Sequence, residues 1–522
     1  MVHNEIHAID LGIIAAYLIA MVVIGVVVVK KVQSTDDYYL GGRSFGPLVL
    51  MATVCATIIG GSGLMGRAGV AYSSGFKAIM TAVPYLLGML IFSGFAGRIS
   101  AVGTSFNITS IPDLFERRFG KTTKVTLGAL IAFTMMGTVA AQVTATATII
   151  NMLGGEIGVS YEMGALIACA VFIIYTATSG LFGVIYTDVF QFVMLILFVY
   201  ILIPGASLVK LGGPAEIFRI AGEYKKIDFG PYDMDLTHLT FLVMVLNGIF
   251  YALQKYGTDQ SIVQRYLTAR DDRSAKRASY LGIFLSVPTW ALFMFVGTCL
   301  FAYYHINSGV LPEGIKSDEV FPYFIATEMP VGITGLILAA LIAGAISSID
   351  ADINCISAIV VEDYYGRFRK NVSDKQKMKV GRWAVIVTGL GAICCALLYV
   401  AWGGEGVLGT LFGLYAILSA GIVGIFLLGL FSRRANWQGL YIGIAAAILY
   451  TAYAVLTSTK YGDGMILDLG DWNFTHHKYM LGVYSHLIVL VVGYVASLFF
   501  HTPLADKELT IYGYLEEKKK NK

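Results

Sequence analysis

MATVCATIIGGSGLMGRAG, residues 51–69, is an apolar stretch long enough to cross a bilayer, yet glycines interrupt it at positions 60, 61 and 63. An unbroken membrane helix satisfies its own backbone, so a glycine cluster there needs a separate reason. Unwound backbone is tolerated at membrane depth only where protein or a water-filled cavity supplies partners. In secondary carriers such breaks place free carbonyls and helix ends around a coupling ion and a substrate.

The surrounding chain fits that setting. Of 522 residues, 57% are hydrophobic and 14% charged, with a mean hydropathy of +0.72. A soluble chain carries about 25% charged residues, so this is an all-α polytopic membrane protein. A net charge of +3 is too small to argue for nucleic acid. The six cysteines (Cys55, Cys169, Cys299, Cys355, Cys394 and Cys395) lie in apolar segments without metal-type spacing. They read as small buried apolar residues. The first span follows Glu5 and contains Asp10, with no basic residue before it, so it is taken as a mature helix rather than a signal peptide.

A window of roughly 20 residues predicts about 13 transmembrane helices. They fall near 8–29, 47–73, 77–97, 124–152, 161–179, 182–206, 237–260, 279–303, 330–360, 380–402, 406–431, 437–457 and 479–500. Charged amphipathic pieces at 109–119 and 318–328 are expected along the interface or capping a vestibule. With the N-terminus outside, the interior loops hold 27 of the 37 Lys and Arg, including Arg265, Arg270 and the run from Arg367 to Arg382. That bias orients the chain N-out and C-in. The Lys518–Lys520 run reads as a solvated end that helps fix this topology.

Gly61-Ser-Gly-Leu-Met-Gly66 matches GxGxxG, but a dinucleotide site needs a preceding strand and an acid about 20 residues on. No Asp or Glu occurs between Asp37 and Asp113, so that reading is rejected. The partner of the broken stretch lies in the ninth span, Ala343-Gly-Ala-Ile-Ser-Ser-Ile-Asp-Ala-Asp-Ile-Asn354. Gly344, Ser347 and Asp350 recur at i, i+3 and i+6, along one helical face. A desolvated monovalent cation wants about four to six hard oxygens, which carbonyls, hydroxyls and carboxylates provide. Asp350 and Asp352 each cost several kcal/mol at membrane depth unless compensated, so a functional role is the default. The alternative is a buried pair with Lys255 or Arg67. Asp188 opens the sixth span, as a helix N-terminal acid or as part of an ion path. In the seventh span, Gly257 and a lone Lys255 mark a second interruptible helix, five spans after the first. Two five-helix repeats of opposite topology show that pattern.

These motifs make the chain resemble the sodium:solute symporter family, which includes proline, glucose, sialic acid and monocarboxylate carriers. The likeness covers about 35–435. It rests on Tyr39-Leu-Gly-Gly-Arg-Ser, the Ala-Thr-x-Ile-Gly break, Tyr186-Thr-Asp-Val-Phe-Gln, Asp259-Gln-Ser-Ile-Val-Gln-Arg-Tyr and the Ser-Ser…Glu-Asp-Tyr-Tyr pattern. The resemblance implies a leucine-transporter-type 5+5 inverted repeat. It divides the chain into a first helix and linker (1–46), repeat one (47–206), an extracellular loop (207–236), repeat two (237–431) and two accessory helices with a basic tail (432–522). It also implies Na+ as coupling ion, held by carbonyls of Ala56, Ile59 and Gly344 and hydroxyls of Ser347 and Ser348. A second cation site in some members matches Asp188. Its further hydroxyl positions are Asp350 and Ala351 here, a departure that leaves a carboxylate-rich sodium site and a proton-linked one both open. Substrate contacts would come from Thr57, Ser62, Gly63 and Arg67 with Gln254 and Lys255. Gly63 replaces a hydrogen-bonding side chain of the glucose carriers, which weakens a sugar reading, while Arg67 and Lys255 suit a carboxylate.

The expectation is a cell-membrane symporter importing a small polar organic solute, functional as a monomer, with bilayer and substrate as its partners. An enzyme would need a nucleophile–base–orienter set, which the sequence lacks. A channel would need a continuous polar stripe. A transporter-like sensor would carry an appended signalling domain, whereas this chain ends about 20 residues after its last helix.

Overall fold

The computed structural model describes residues 7–76, 79, 86, 96, 108–154, 160–197, 213–307, 309–369, 371–401, 421–458, 460–461, 464–500, 502–505 and 509–512. Nearly all of the expected span at 77–97, residues 406–420 of the eleventh expected span and the lysine-rich tail fall outside these residues. All or part of the other twelve expected spans is helical.

Seventeen α-helices of six or more residues organise the described chain. They are α1 (Ala8–Val28), α2 (Thr35–Leu40), α3 (Pro47–Ile58), α4 (Gly61–Ser74), α5 (Ile111–Phe119) and α6 (Lys121–Gly154). Next come α7 (Tyr161–Leu197), α8 (Pro214–Glu223), α9 (Phe241–Leu253), α10 (Gln260–Leu267), α11 (Asp272–Ile306) and α12 (Val320–Glu328). The last are α13 (Ile333–Ala358), α14 (Asp374–Ala401), α15 (Ile422–Phe431), α16 (Trp437–Ser458) and α17 (Tyr479–Leu498). A two-stranded hairpin, Lys460–Tyr461 with Gly464–Met465, is the one sheet among the described residues. Among the described residues, eight helices are long and apolar enough to cross a membrane, and α3 with α4, bent by 50°, make a ninth if taken as one span.

Helix ends outrun the hydropathy window where charge projects past the apolar zone. α11 begins at Asp272, seven residues before the expected start at 279. Asp271 caps it, accepting the Ser274 N–H at 2.7 Å, and such a cap satisfies one of the helix's orphan donors. The two spans expected at 161–179 and 182–206 meet inside α7 at Gly180, whose φ of 57° and ψ of −156° break the helix. Both arms touch α1: a Cβ on Gly25 would lie 2.4 Å from Tyr175 Cβ, and Gln191 Nε2 donates to Tyr17 Oη at 3.1 Å. A straight helix would put Tyr175 and Gln191 about 24 Å apart, whereas Tyr17 and Gly25 are about 12 Å apart along α1. The chain therefore folds back at Gly180. Only glycine fits there, because a Cβ would strike Tyr38 O at 2.5 Å.

The helix that gathers the others is α13. Every residue from Ile337 to Ala358 is buried, as befits a helix that is apolar nearly all round. It packs on α1, α6, α7 and α14, while the bent α3–α4 pair packs on α11. Asp10 of α1 caps α13, accepting the Gly332 and Gly335 N–H groups at 2.8 and 2.7 Å. The Tyr39-Leu-Gly-Gly-Arg-Ser motif lies at the base of this assembly. Tyr38 Oη donates to the Thr176 and Ala177 carbonyls, and Tyr39 Oη meets Ser357 Oγ at 3.2 Å.

The two charged pieces at 109–119 and 318–328 form the short helices α5 and α12. Arg118 of α5 clamps the end of α15, donating to the carbonyls of Gly429 (3.2 Å), Ser432 (2.6 Å) and Ala435 (3.0 Å). Burial of that guanidinium pulls it down to about 10. Two cysteines depart from the uniform burial expected: Cys394 is exposed and Cys395 half-buried, both on α14, with the other four buried. Their flank of α14 also exposes Leu390 and Leu398, so an apolar segment here includes a lipid-facing side.

The α4–α11 contact depends on Gly297, where a Cβ would sit 2.1 Å from Ala68 O. Backbone cannot yield cheaply, and overpacking typically costs about 1–3 kcal/mol. Gly297→Ala is expected to lower the thermal midpoint of the purified protein by several degrees. An unchanged midpoint would count against close packing at this point.

Candidate functional site

The break in the α3–α4 stretch creates acceptors. The α3 ladder runs to the Ile59 N–H, which bonds Cys55 O at 2.9 Å. Ile59 then leaves helical space (φ −88°, ψ 59°) and Gly60 is extended (φ −67°, ψ 149°). The Ala56 and Thr57 carbonyls are taken instead by α13. Ser347 Oγ donates to Ala56 O at 2.8 Å and lies 3.0 Å from Gly344 O. Ser348 Oγ donates to Thr57 O at 2.9 Å. A Cβ on Gly344 would stand 3.0 Å from Ile59 O. The structure thus brings together Ala56, Ile59, Gly344, Ser347 and Ser348.

Glycine permits this approach. A Cβ on Gly61 would lie 2.7 Å from Ala345 Cβ, and one on Gly60 would lie 2.3 Å from Gln142 Nε2 and 2.8 Å from Ser348 Oγ. The donor set is carbonyl and hydroxyl oxygen in buried surroundings. Hard oxygens of this kind fit a monovalent cation such as Na+. The same helices exclude a dinucleotide fold, since Gly61–Gly66 lies within α4 and a helix precedes it.

A second constellation lies nearby. Asp188 Oδ2 accepts from Arg265 Nη2 at 2.8 Å and from Thr53 Oγ1. Arg265 Nε donates to Thr53 Oγ1 at 2.9 Å and Nη1 to Ser261 O at 2.7 Å. Both charged side chains are fully buried. Arg265, expected from the sequence among the interior-loop charges, is therefore a buried charge instead. α10 is buried along its whole length and directs this guanidinium into the core. Asp350 Oδ2 accepts the Tyr175 hydroxyl proton. Asp188 Oδ1 and Asp350 Oδ1 are buried with no hydrogen-bond partner among the described residues.

The expected substrate residues are not drawn to one spot. Thr57 Oγ1 donates to Thr53 O, its own i−4 carbonyl, at 2.9 Å. A Cβ on Gly63 would meet nothing within 4 Å, so that glycine borders open space. The Ser62 side chain lies outside the described structure. Arg67 stacks over the Trp290 ring of α11, 4.0 Å from its centroid. The seventh-span interruption is a π-helical turn, Gln254–Thr258, followed by extended Asp259. Lys255 Nζ pairs with Asp259 Oδ2 at 2.5 Å. The anticipated partner of Lys255 was Asp350 or Asp352. The nearer acid one helical turn away takes that role.

Gln142, Tyr175, Thr53, Arg265 and Asp259 are polar groups that sequence reasoning did not place in the site. A lone amide in the apolar run 139–149 was a usable signal for Gln142. Nothing local marked Tyr175.

Comparison with known proteins agrees with this geometry. Residues 38–446 match the model of the sodium:solute symporter family. The sodium/sialic acid symporter NanT of Aliivibrio fischeri is 29% identical over 512 residues, which is 97% of this chain and 96% of NanT. A solved structure of a Na+-coupled sialic acid symporter, substrate-bound and outward-open, superposes with a TM-score of 0.82. Its identity is 29%, over 95% of this chain and 98% of that one. Mhp1, a nucleobase-cation-symport-1 family transporter, shares the fold at a TM-score of 0.56 and 15% identity, over 91% and 98% of the two chains. The leucine-transporter-type architecture expected from the sequence is therefore the fold of this chain. It is a carrier rather than an enzyme, and Na+ is its coupling ion. A break in α3–α4 facing two serines of α13, in a chain matched over most of its length, leads to one conclusion: this protein belongs to the sodium:solute symporter family and couples sodium to the symport of a small solute.

Proposed function

We propose that the chain works as a monomer in the cell membrane, N-terminus outside and C-terminus cytoplasmic, importing a small hydroxyl-bearing solute with sodium. Residues 47–206 and 237–431 act as the two inverted repeats. Sodium sits among the Ala56, Ile59 and Gly344 carbonyls and the Ser347 and Ser348 hydroxyls. The observation that carries this reading is the pair of bonds from Ser347 and Ser348 to the carbonyls of the broken helix. An ion there would tie one repeat to the other, so loading it sets the shape of the break. The carrier then rocks inward and releases both cargoes. Each charge moved down 100 mV supplies about 2.3 kcal/mol, roughly a 50-fold accumulation.

The solute would bind beside Gly63, with the Gln142 and Gln254 amides as hydrogen-bond groups and Thr57, Ser62, Arg67 and Lys255 around them. A neutral solute is favoured because Arg67 lies on Trp290 and Lys255 pairs with Asp259. A carboxylate is the second reading, supported by the sialic acid carriers among the relatives. Sodium-driven uptake into proteoliposomes, measured over sugars, polyols, carboxylates and amino acids, tests both. No sodium stimulation for any solute would overturn the proposal.

Asp350 carries the second cation as a proton, while Asp188 is held by Arg265. One Asp350 oxygen has the Tyr175 hydroxyl, and the other has no hydrogen-bond partner among the described residues. A membrane carboxylate so placed needs a cation or a proton. Asp350→Asn is expected to flatten the pH dependence of uptake and to remove one charge-compensating proton per cycle. Unchanged pH dependence and stoichiometry would refute this.

A further inference from the structure

Ser348 and Asp352 are i and i+4 on α13, so they share a face one turn apart, about 6 Å along the axis. Asp350 points elsewhere, about 200° around the helix from Asp352. Beside Asp352 lies a small cavity of about 20 Å³, lined by Thr134 and Thr138 of α6, Gln254 and Thr258 of the π-helical turn, and Asp259. One water needs about 10–15 Å³, so the cavity holds one water or one ion of similar size.

Its lining is short of donors. Thr134 Oγ1 donates to Leu130 O (2.9 Å), Thr138 Oγ1 to Thr134 O (3.3 Å) and Thr258 Oγ1 to Gln254 O (2.9 Å). Each hydroxyl has one proton, so Thr138 and Thr258 present lone pairs. Asp259 is satisfied by Lys255 on one oxygen and by Ser261 N–H and Oγ–H on the other. The Gln260 amide is engaged with Ile111 N and Thr109 O. Asp352, 3% exposed, has Ser261 as a hydroxyl neighbour, but that proton goes to Asp259 Oδ1 at 2.5 Å. What remains is a carboxylate beside two acceptor hydroxyls, with the Gln254 amide as the donor group and, as cationic neighbours, Lys255 and Arg265, each already paired with another acid. Water brings two protons to such a place, whereas a cation also compensates the charge.

We propose that this cavity is a second resting position for the coupling cation, one turn along α13 from the Ser347/Ser348 site. Asp352 is its charged ligand, and Thr138 and Thr258 are neutral ones. The position rests on reading Ser347 and Ser348 as sodium ligands, and it gives the released ion a stop on its way out of the membrane.

The test is equilibrium binding of radioactive Na+ to the purified full-length chain. Wild type is expected to show a tighter and a weaker class. Asp352→Asn removes the weaker class, lowering bound sodium by about one per chain, and leaves the tighter midpoint unmoved. Ser347→Ala with Ser348→Ala removes the tighter class instead, and its failure to do so would count against the earlier reading alone. If Asp352→Asn is not monodisperse, Thr138→Val serves, with the weaker midpoint expected to rise roughly 10-fold or more. A single class in wild type, both classes intact in a folded Asp352→Asn, or loss of both in that variant would each overturn the proposal.

Discussion

Replacing Ser347 and Ser348 together by alanine is expected to raise the half-saturating sodium concentration for uptake by at least roughly 100-fold. Each hydroxyl lost from a charged ligand is worth about 1.5–3 kcal/mol, and a tenfold change corresponds to about 1.4 kcal/mol. The bilayer offers no water to replace those oxygens. Ser357→Ala is the control: this serine lies on the same helix, and its hydroxyl donates to Gly381 O at 3.0 Å, remote from the break. The readout is the sodium activation curve in proteoliposomes for the two variants side by side. A double variant whose midpoint stays within about 3-fold of wild type would remove these hydroxyls from the sodium site.

The second large effect concerns folding. Arg265→Gln or Asp188→Asn alone leaves a charge buried without its partner, at about 3–5 kcal/mol. That is a substantial part of a typical folding stability of about 5–15 kcal/mol. Each single variant is expected to yield little monodisperse protein and to unfold well below wild type on heating. The double variant removes both charges together, and more than half of the lost stability is expected to return. Additive losses would mean that Arg265 and Asp188 act separately, contrary to their 2.8 Å contact.

The sequence disclosed features whose signals are local. Glycines at 60 and 61 and serines at 347 and 348 stand out because their neighbours are apolar, and helical spacing then aligns them. Partners far apart along the chain left no such trace. Arg265 and Asp188 are 77 positions apart, and Tyr175 and Asp350 are 175 apart. Arg265 was further concealed by Arg270 and Arg273, since a window that averages charge assigns the whole segment to a loop. Lys255 and Asp259 were within reach of i, i+4 reasoning, but the membrane carboxylates Asp350 and Asp352 seemed the more demanding partners. Helix ends were displaced wherever a cap such as Asp271 carried a turn beyond the apolar zone.

The cap that Asp10 places on α13 sets an order of assembly. Asp10 leaves the ribosome more than 320 residues before Gly332 and Gly335, which supply its N–H groups. The first helix must therefore hold its carboxylate in waiting until α13 is made. Only when the helix bearing Ser347 and Ser348 arrives does that acid find its donors, so completion of the sodium site and the settling of the first helix are one late event in biogenesis.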